Sequence, residues 1–211
     1  MPYDAATFEH CAALLVTVGH QLYRQGWSPA TSSNYSMRLS RDSCAITISG
    51  KHKGHLTIRD IMSVDLDGQP LMDEKPSAET LLHTQLYRLD PAIGAVLHTH
   101  SPHATVLSRY LADQDHVVLA GYELLKAFPG ITTHDAAMVV PIFDNTQDIP
   151  ALAHRASAYL SANRTCCAYI IRGHGVYTWG ATMDDCVRHI EALEFLFGCE
   201  VQSRQLIRSK P

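Results

Sequence analysis

The six cysteines of this 211-residue chain form no C-x-x-C pair, and their scatter suits reduced thiols in a cytoplasmic protein. The vicinal pair Cys166-Cys167 lies in an apolar run and reads as packing. No apolar stretch approaches the ~18 residues of a membrane-spanning helix, so no membrane association is expected. Met1-Pro-Tyr-Asp-Ala5 has neither a basic segment nor an apolar one, and a signal peptide is not expected. Basic excess is missing too: 17 Lys and Arg stand against 21 Asp and Glu, a formal net charge of -4. Nucleic-acid binding would need a basic stripe, and none is present. There is no block of like charge, internal repeat, low-complexity tract or Pro/Gly/Ser-rich linker. Helix and strand signals alternate to the end, so residues 1–211 read as a single α/β domain.

Hydrophobic residues make up 46% of the chain, enough for a core without disulfides. A chain of this length buries roughly 70% of the surface exposed when unfolded. The 13 histidines are the compositional excess. They hint at metal or acid–base chemistry and also raise the number of chance His pairs, so each must be judged by its setting.

The periodicity predicts a first helix from Ala5 to Gln25, with Asp4 as N-cap. A polar turn over 30–38 runs into strand. Cys44–Ile48 is a second strand, and Thr57-x-x-Asp60 starts a short capped turn. Asp67-Gly68 between 63–66 and 69–72 predicts a hairpin. Pro76-Ser77-Ala78-Glu79 opens a helix carrying Leu82, Leu86 and Leu89. Ile93–Leu97 is an apolar strand leading into His98-Thr99-His100, and Ser101-Pro102 starts the next helix. Strands follow near 116–119 and 138–143, with a helical turn over 122–128 between them. A helix covers 148–160, and strands at 166–171 and 176–179 flank Gly173-His174-Gly175. Thr182-x-x-Asp185 caps a final helix. Hairpin-joined strands with interposed helices imply a mostly antiparallel or mixed sheet sandwiched by helices.

His98 and His100 are two apart at a strand end, so their side chains share a face and converge as a metal site needs. Two ligands leave a site incomplete. His174 is the best third candidate, because Gly173 and Gly175 allow a sharp turn that aims its ring inward. His10, His20, His154 and His189 lie on helical stretches and read as surface or core-edge residues; His103 lies close to the pair. Three neutral imidazoles would leave a divalent ion, zinc, its full charge and an open position.

Two carboxylates stand out. Glu79 falls near a helix start, where capping is the plain alternative. Glu123, in Gly121-Tyr-Glu-Leu-Leu-Lys126, has a solvated helix face as its plain alternative. Three turns could hold an anion: the Ser-rich one at Asn34, Ser49-Gly50-Lys51 after a strand, and Ser77 at a helix start.

These motifs together carry a resemblance. Thr31-Ser-Ser-Asn34-Tyr-Ser, Thr47-Ile-Ser-Gly50-Lys, Lys75-Pro-Ser-Ala-Glu79, Val96-Leu-His-Thr-His100-Ser-Pro-His103 and Arg172-Gly-His-Gly-Val-Tyr-Thr-Trp179 resemble the class II aldolase and adducin-head superfamily over nearly the whole length. Through Arg172–Gly180 and Glu123-Leu-Leu-Lys126 the chain is most similar to the sugar-phosphate dehydratases of methionine salvage. The resemblance implies a three-layer αβα fold and one zinc ion per subunit on His98, His100 and His174. It implies a substrate phosphate near Asn34, Ser49, Gly50 and Ser77, and a homotetramer with sites near subunit boundaries. In the dehydratases the acid–base carboxylate resembles Glu123 of this chain, and in the aldolases it resembles Glu79, which there also approaches the metal. A base works best with a pKa near the working pH, so Glu123 should be partly desolvated. Ala78 stands where aldolases often carry a second Ser. A zinc-dependent aldolase or epimerase is the alternative activity. A non-catalytic scaffold like the adducin head would not need the three histidines.

Overall fold

The computed structural model describes residues 3–208. Its elements are α1 (Ala5–Arg24), β1 (Asn34–Arg38), β2 (Ser43–Thr47), β3 (Ile61–Asp65), α2 (Thr80–Leu89), β4 (Ala95–Thr99), α3 (Pro102–Tyr110), β5 (His116–Ala120), β6 (Ala137–Phe143), α4 (Ile149–Ala162), β7 (Ala168–Ile171), β8 (Gly175–Gly180) and α5 (Met183–Arg208). The eight strands form one sheet in the order β3-β2-β1-β4-β8-β7-β6-β5. Every pairing is antiparallel except β6 with β7, so the sheet is mixed as the sequence predicts.

Several ends are written locally. Asp4 accepts the Thr7 N–H at 3.2 Å and caps α1. Ser101 accepts the Ala104 N–H and Pro102 follows it, so α3 begins directly after the His-Thr-His segment. Thr182 and Asp185 exchange the reciprocal bonds of a capping box before α5.

Two expectations are corrected. The second arm of the Asp67-Gly68 hairpin is not a strand: β3 ends at Asp65, and only an isolated bridge joins Val64 to Pro70. Proline lacks the N–H that would extend the ladder. The helix expected from Pro76-Ser77 begins only at Thr80. The Ser77 carbonyl instead closes a turn on Thr80 N–H, and its hydroxyl accepts the Glu79 N–H at 3.2 Å.

Alternation along β4 separates the two faces of the sheet. Thr99 points to α5, where its hydroxyl donates to Glu194 at 3.4 Å. His98 points the other way, onto the face shared with α2. The register sets Asn34 opposite His98 and His98 opposite Tyr177. Asn34, His98 and Tyr177 therefore form a row across β1, β4 and β8, with a helix start above it. Strands β2, β4, β7 and β8 are wholly buried, as are the first three residues of β1, and Tyr35, Tyr169 and Tyr177 are among the largest fully buried side chains.

Candidate metal centre

His98 is the penultimate residue of β4 and is completely buried, its ring stacked on Tyr177 at 4.0 Å between centroids. Its Nδ1–H donates to the Val176 carbonyl at 3.0 Å, so Nε2 carries a bare lone pair. His100 lies just past the strand, where its backbone N–H is held by Trp27 O at 2.8 Å. His174 sits in the turn between β7 and β8. Gly173 there has φ +67°, and a Cβ on Gly175 would lie 2.0 Å from the Thr99 carbonyl oxygen and 3.0 Å from His98 Cε1. Only glycine lets β8 approach β4 this closely and swing His174 over it.

The three rings meet through their Nε2 atoms. His98 to His100 is 2.9 Å, and His174 to His100 is 3.1 Å. Glu79 completes the group, Oε1 lying 3.1 Å from His174 Nε2 and Oε2 lying 3.4 Å from His98 Nε2. One ligand atom from each of the four lies within 4.8 Å of the others. Lone pairs facing one another at such distances repel unless a proton or cation lies between them. A tetrahedral zinc site with Zn–N of ~2.05 Å separates its nitrogens by roughly 3.3 Å. The donor set and its spacing thus fit a divalent ion.

Charge agrees with the geometry. Burial pushes the His98 ring well below its ordinary pKa, and burial together with His174 lowers His100 to about 4. Both are neutral at physiological pH, as metal ligands must be. Burial alone would raise the Glu79 carboxyl. The neighbouring His98 and His174 and the Asn34 hydrogen bond outweigh it and hold the group well below the usual carboxylate range.

Glu79 does not cap its helix: it occupies the N-cap position without a side-chain capping bond. Its Oε2 accepts Asn34 Nδ2–H at 2.7 Å and Tyr177 O–H at 3.0 Å. The sequence reading missed Tyr177 and also His83, which bonds Asn34 from below. A signal existed for His83, since it stands one helical turn after Glu79. His103 packs against Gly198, outside the group.

The anion-binding candidates are arranged differently. Asn34 is committed to Glu79 and His83. Ser49, Gly50 and Lys51 form an exposed turn with Gly50 at φ +73°, and Lys51 pairs with Asp60 at 3.0 Å. Lys53, not singled out from sequence, is buried and donates to Lys51 O at 2.6 Å and Thr31 O at 3.4 Å, joining this turn to the one before Asn34. Burial lowers its amine to about 8.

Glu123 lies apart. It begins a 3-10 turn, Glu123–Ala127, after the edge strand β5. Four inter-strand steps separate β5 from β4, roughly 19 Å across the sheet. Its side chain is 70% exposed and pairs with Lys126 and with His134 at 3.7 Å. The expected partial desolvation is therefore not provided by the chain itself: the turn packs on α5 through buried Leu125, and Glu123 faces outward from it.

Residues 13–201 match the family described as class II aldolase and adducin N-terminal domain. The methylthioribulose-1-phosphate dehydratase of Marinobacter nauticus is 53% identical over 98% of this chain and 100% of its own length. That of Pseudomonas fluorescens is 56% identical over 95% and 97%. Among solved structures, L-fuculose-1-phosphate aldolase from Thermus thermophilus superposes with a TM-score of 0.75 at 24% identity, covering 99% of this chain and 100% of that one. A sugar-phosphate aldolase from Thermotoga maritima gives 0.71 at 18%, covering 98% and 97%. These two likenesses speak for the fold alone. The chain belongs to the class II aldolase and adducin N-terminal domain family.

Proposed function

We propose that the protein is a zinc-dependent hydro-lyase that converts 5-methylthioribulose 1-phosphate to 2,3-diketo-5-methylthiopentyl 1-phosphate in methionine salvage. The observation that carries this reading is the 53–56% identity, over nearly the full length, to proteins named methylthioribulose-1-phosphate dehydratase. The His98, His100, His174 and Glu79 group supports it chemically. One zinc ion per chain, bound by the three histidines, would supply Lewis-acid charge beside the substrate carbonyl.

The chain's own residues do the rest. The turns at Asn34, at Ser49, Gly50 and Lys51, and at Ser77 hold the phosphate, with Lys53 fixing two of these turns against each other. Glu123 takes the proton from C3, next to the ketone. The electron pair left behind expels the C4 hydroxyl, which leaves as water once protonated, and the resulting enol tautomerises to the diketone. Glu79 stays an ionised, oriented carboxylate at the histidines, because Asn34 and Tyr177 already occupy its Oε2.

Glu123 meets the site in an assembly, where a second copy brings its edge turn beside the histidines. A homotetramer with shared sites provides this, and it covers the turn that is exposed in the single chain. The six free cysteines, four of them buried, suit the reducing cytoplasm.

Incubation with 5-methylthioribulose 1-phosphate and mass analysis tests the reaction. Loss of one water supports the reading; fragments from carbon–carbon cleavage would reassign the protein as an aldolase. Co-refolding Glu123→Gln with His100→Ala tests the shared site. Two inactive variants should together recover roughly a quarter of the wild-type rate if each site draws on two chains, and none if it does not.

A further inference from the structure

An asparagine amide is nearly symmetric in shape, so only its hydrogen-bond partners decide which end points where. At Asn34 the choice matters. The ionised carboxylate of Glu79 accepts hydrogen bonds and cannot donate them, so it must face the amide nitrogen, at 2.7 Å. The Asn34 oxygen then turns away from the metal group and needs a donor of its own. His83 Nε2 supplies it, in a buried contact.

That contact fixes the direction of everything behind it. If Nε2 carries the His83 proton, Nδ1 must accept, and the Ser36 hydroxyl lies 2.8 Å away to donate. Ser36 Oγ in turn lies 2.8 Å from Tyr87 OH, which donates to it. The chain runs one way, from Tyr87 through Ser36, His83 and Asn34 to Glu79. It is built from two periodicities. Asn34 and Ser36 are two apart on one face of β1, and Glu79, His83 and Tyr87 are four apart from the start of α2. Asn34 is 6% exposed and the other three below the carboxylate 1% or less, so water cannot replace a missing member without opening the core. Burial also lowers the His83 ring to about 3 despite the nearby Glu79, which keeps it neutral.

We infer that His83 is a positioning residue: as its neutral Nε2–H tautomer it locks the Asn34 amide nitrogen toward Glu79, and through it holds that carboxylate in place at the metal centre. The inference deepens the proposed metal-dependent function and rests on the part of it that concerns the ion. Without the His83 donor the amide can turn over and set its oxygen against the carboxylate.

Two measurements test this. In ¹⁵N-histidine-labelled wild-type protein, His83 should show a protonated Nε2 and an unprotonated Nδ1; the opposite tautomer overturns the inference. In chelator competition, His83→Leu should bind zinc about 10–100-fold more weakly. His83→Gln, whose amide nitrogen can take the place of Nε2, should stay near wild type. Asn34→Ala should weaken binding alone but add little in the His83→Leu background, since both changes cut the same chain. Wild-type affinity in His83→Leu, or independent effects that multiply, overturns the inference. Should the Leu variant not fold, the tautomer and the Gln variant still decide. None of these readouts depends on the sugar phosphate, so failure of the reaction assay would leave the inference standing.

Discussion

Two carboxylates, one over the middle of the sheet and one beyond its β5 edge, set up a natural comparison. Glu79 has a side chain 16% exposed, faces two imidazoles and receives two hydrogen bonds on one oxygen. Glu123 has a side chain 70% exposed, on a turn beyond the edge strand, with Lys126 and His134 as its partners. Both are held below the usual carboxylate range, Glu79 against the opposing effect of burial and Glu123 first by its Lys126 hydrogen bond. The physical consequences differ. A buried carboxylate fixed by its own chain is suited to staying charged and still. An exposed one can change its surroundings when another surface covers it, and a base needs that freedom to raise its pKa toward the working pH.

The strongest way to break the comparison is to remove what distinguishes the Glu79 end. A His98→Ala/His100→Ala double variant should lose bound zinc and all measurable dehydration, as read by metal analysis of the dialysed protein. Full zinc occupancy in that variant would leave the histidine cluster without a metal role.

Next in size is exchange of the carboxylates. Glu123→Gln should retain zinc and fold yet lose dehydration by about 10²–10⁴-fold, the usual range for a general base, and lose exchange of the C3 proton with solvent. Glu79→Gln should do less damage to turnover and more to zinc affinity. The reverse order, with carbon–carbon cleavage in the wild type, would point to the aldolase chemistry.

Much of this contrast was legible in the sequence, in uneven ways. His98 and His100 could be paired because strand alternation works over two residues, and the Ser101-Pro102 helix start marked where the strand must end. Gly173-His174-Gly175 signalled a tight approach, and the 2.0 Å clash awaiting a Cβ at Gly175 explains why. The row of Asn34, His98 and Tyr177 was not legible, because it depends on the register of three strands distant in sequence. Glu79 was singled out with helix capping as the plain alternative, and the pattern alone could not decide between them, since it cannot show that α2 begins only at Thr80 and leaves the Glu79 side chain free of a capping bond. Buried Lys53 and His83 were overlooked for a related reason: a polar residue beside a turn or within a helix looks solvated until the tertiary fold closes over it. The exposure of Glu123 was the plain alternative that its spacing offered, whereas family likeness carries a role but not the chain that completes it.

A smaller effect separates the two ends by pH. The unfolded value for a histidine is 6.5, and burial lowers His83 to about 3 in the folded protein. Below pH 6.5 the unfolded chain takes up a proton that the native state refuses. The stability present above 6.5 is therefore lost as the pH falls toward 3, at a slope approaching about 1.4 kcal/mol per pH unit. His83→Gln has no such group. Thermal or urea unfolding of metal-free wild type and variant should show their difference shifting in favour of the variant as pH drops from 7 to 5. Parallel curves would mean that His83 is not held neutral by the fold.

The smallest effect belongs to the exposed end. Lys126 lies three residues after Glu123, and the pair is open to solvent, with side chains 44% and 70% exposed. Such a pair adds little to stability, because water and salt screen it and two long side chains must be ordered to make it. Lys126→Ala should leave Tm within about 2 °C of wild type. Its effect on the chemistry should still be readable. The Lys126 hydrogen bond is the foremost influence lowering the Glu123 carboxyl. Removing it lets the pKa rise, so Glu123 stays protonated to higher pH and the acid limb of the kcat/KM profile moves upward. The same substitution at Lys51, whose partner Asp60 belongs to the anion-binding side, should leave that limb in place. An unmoved acid limb in Lys126→Ala, alongside full activity in Glu123→Gln, would return Glu123 to the status of an ordinary surface residue.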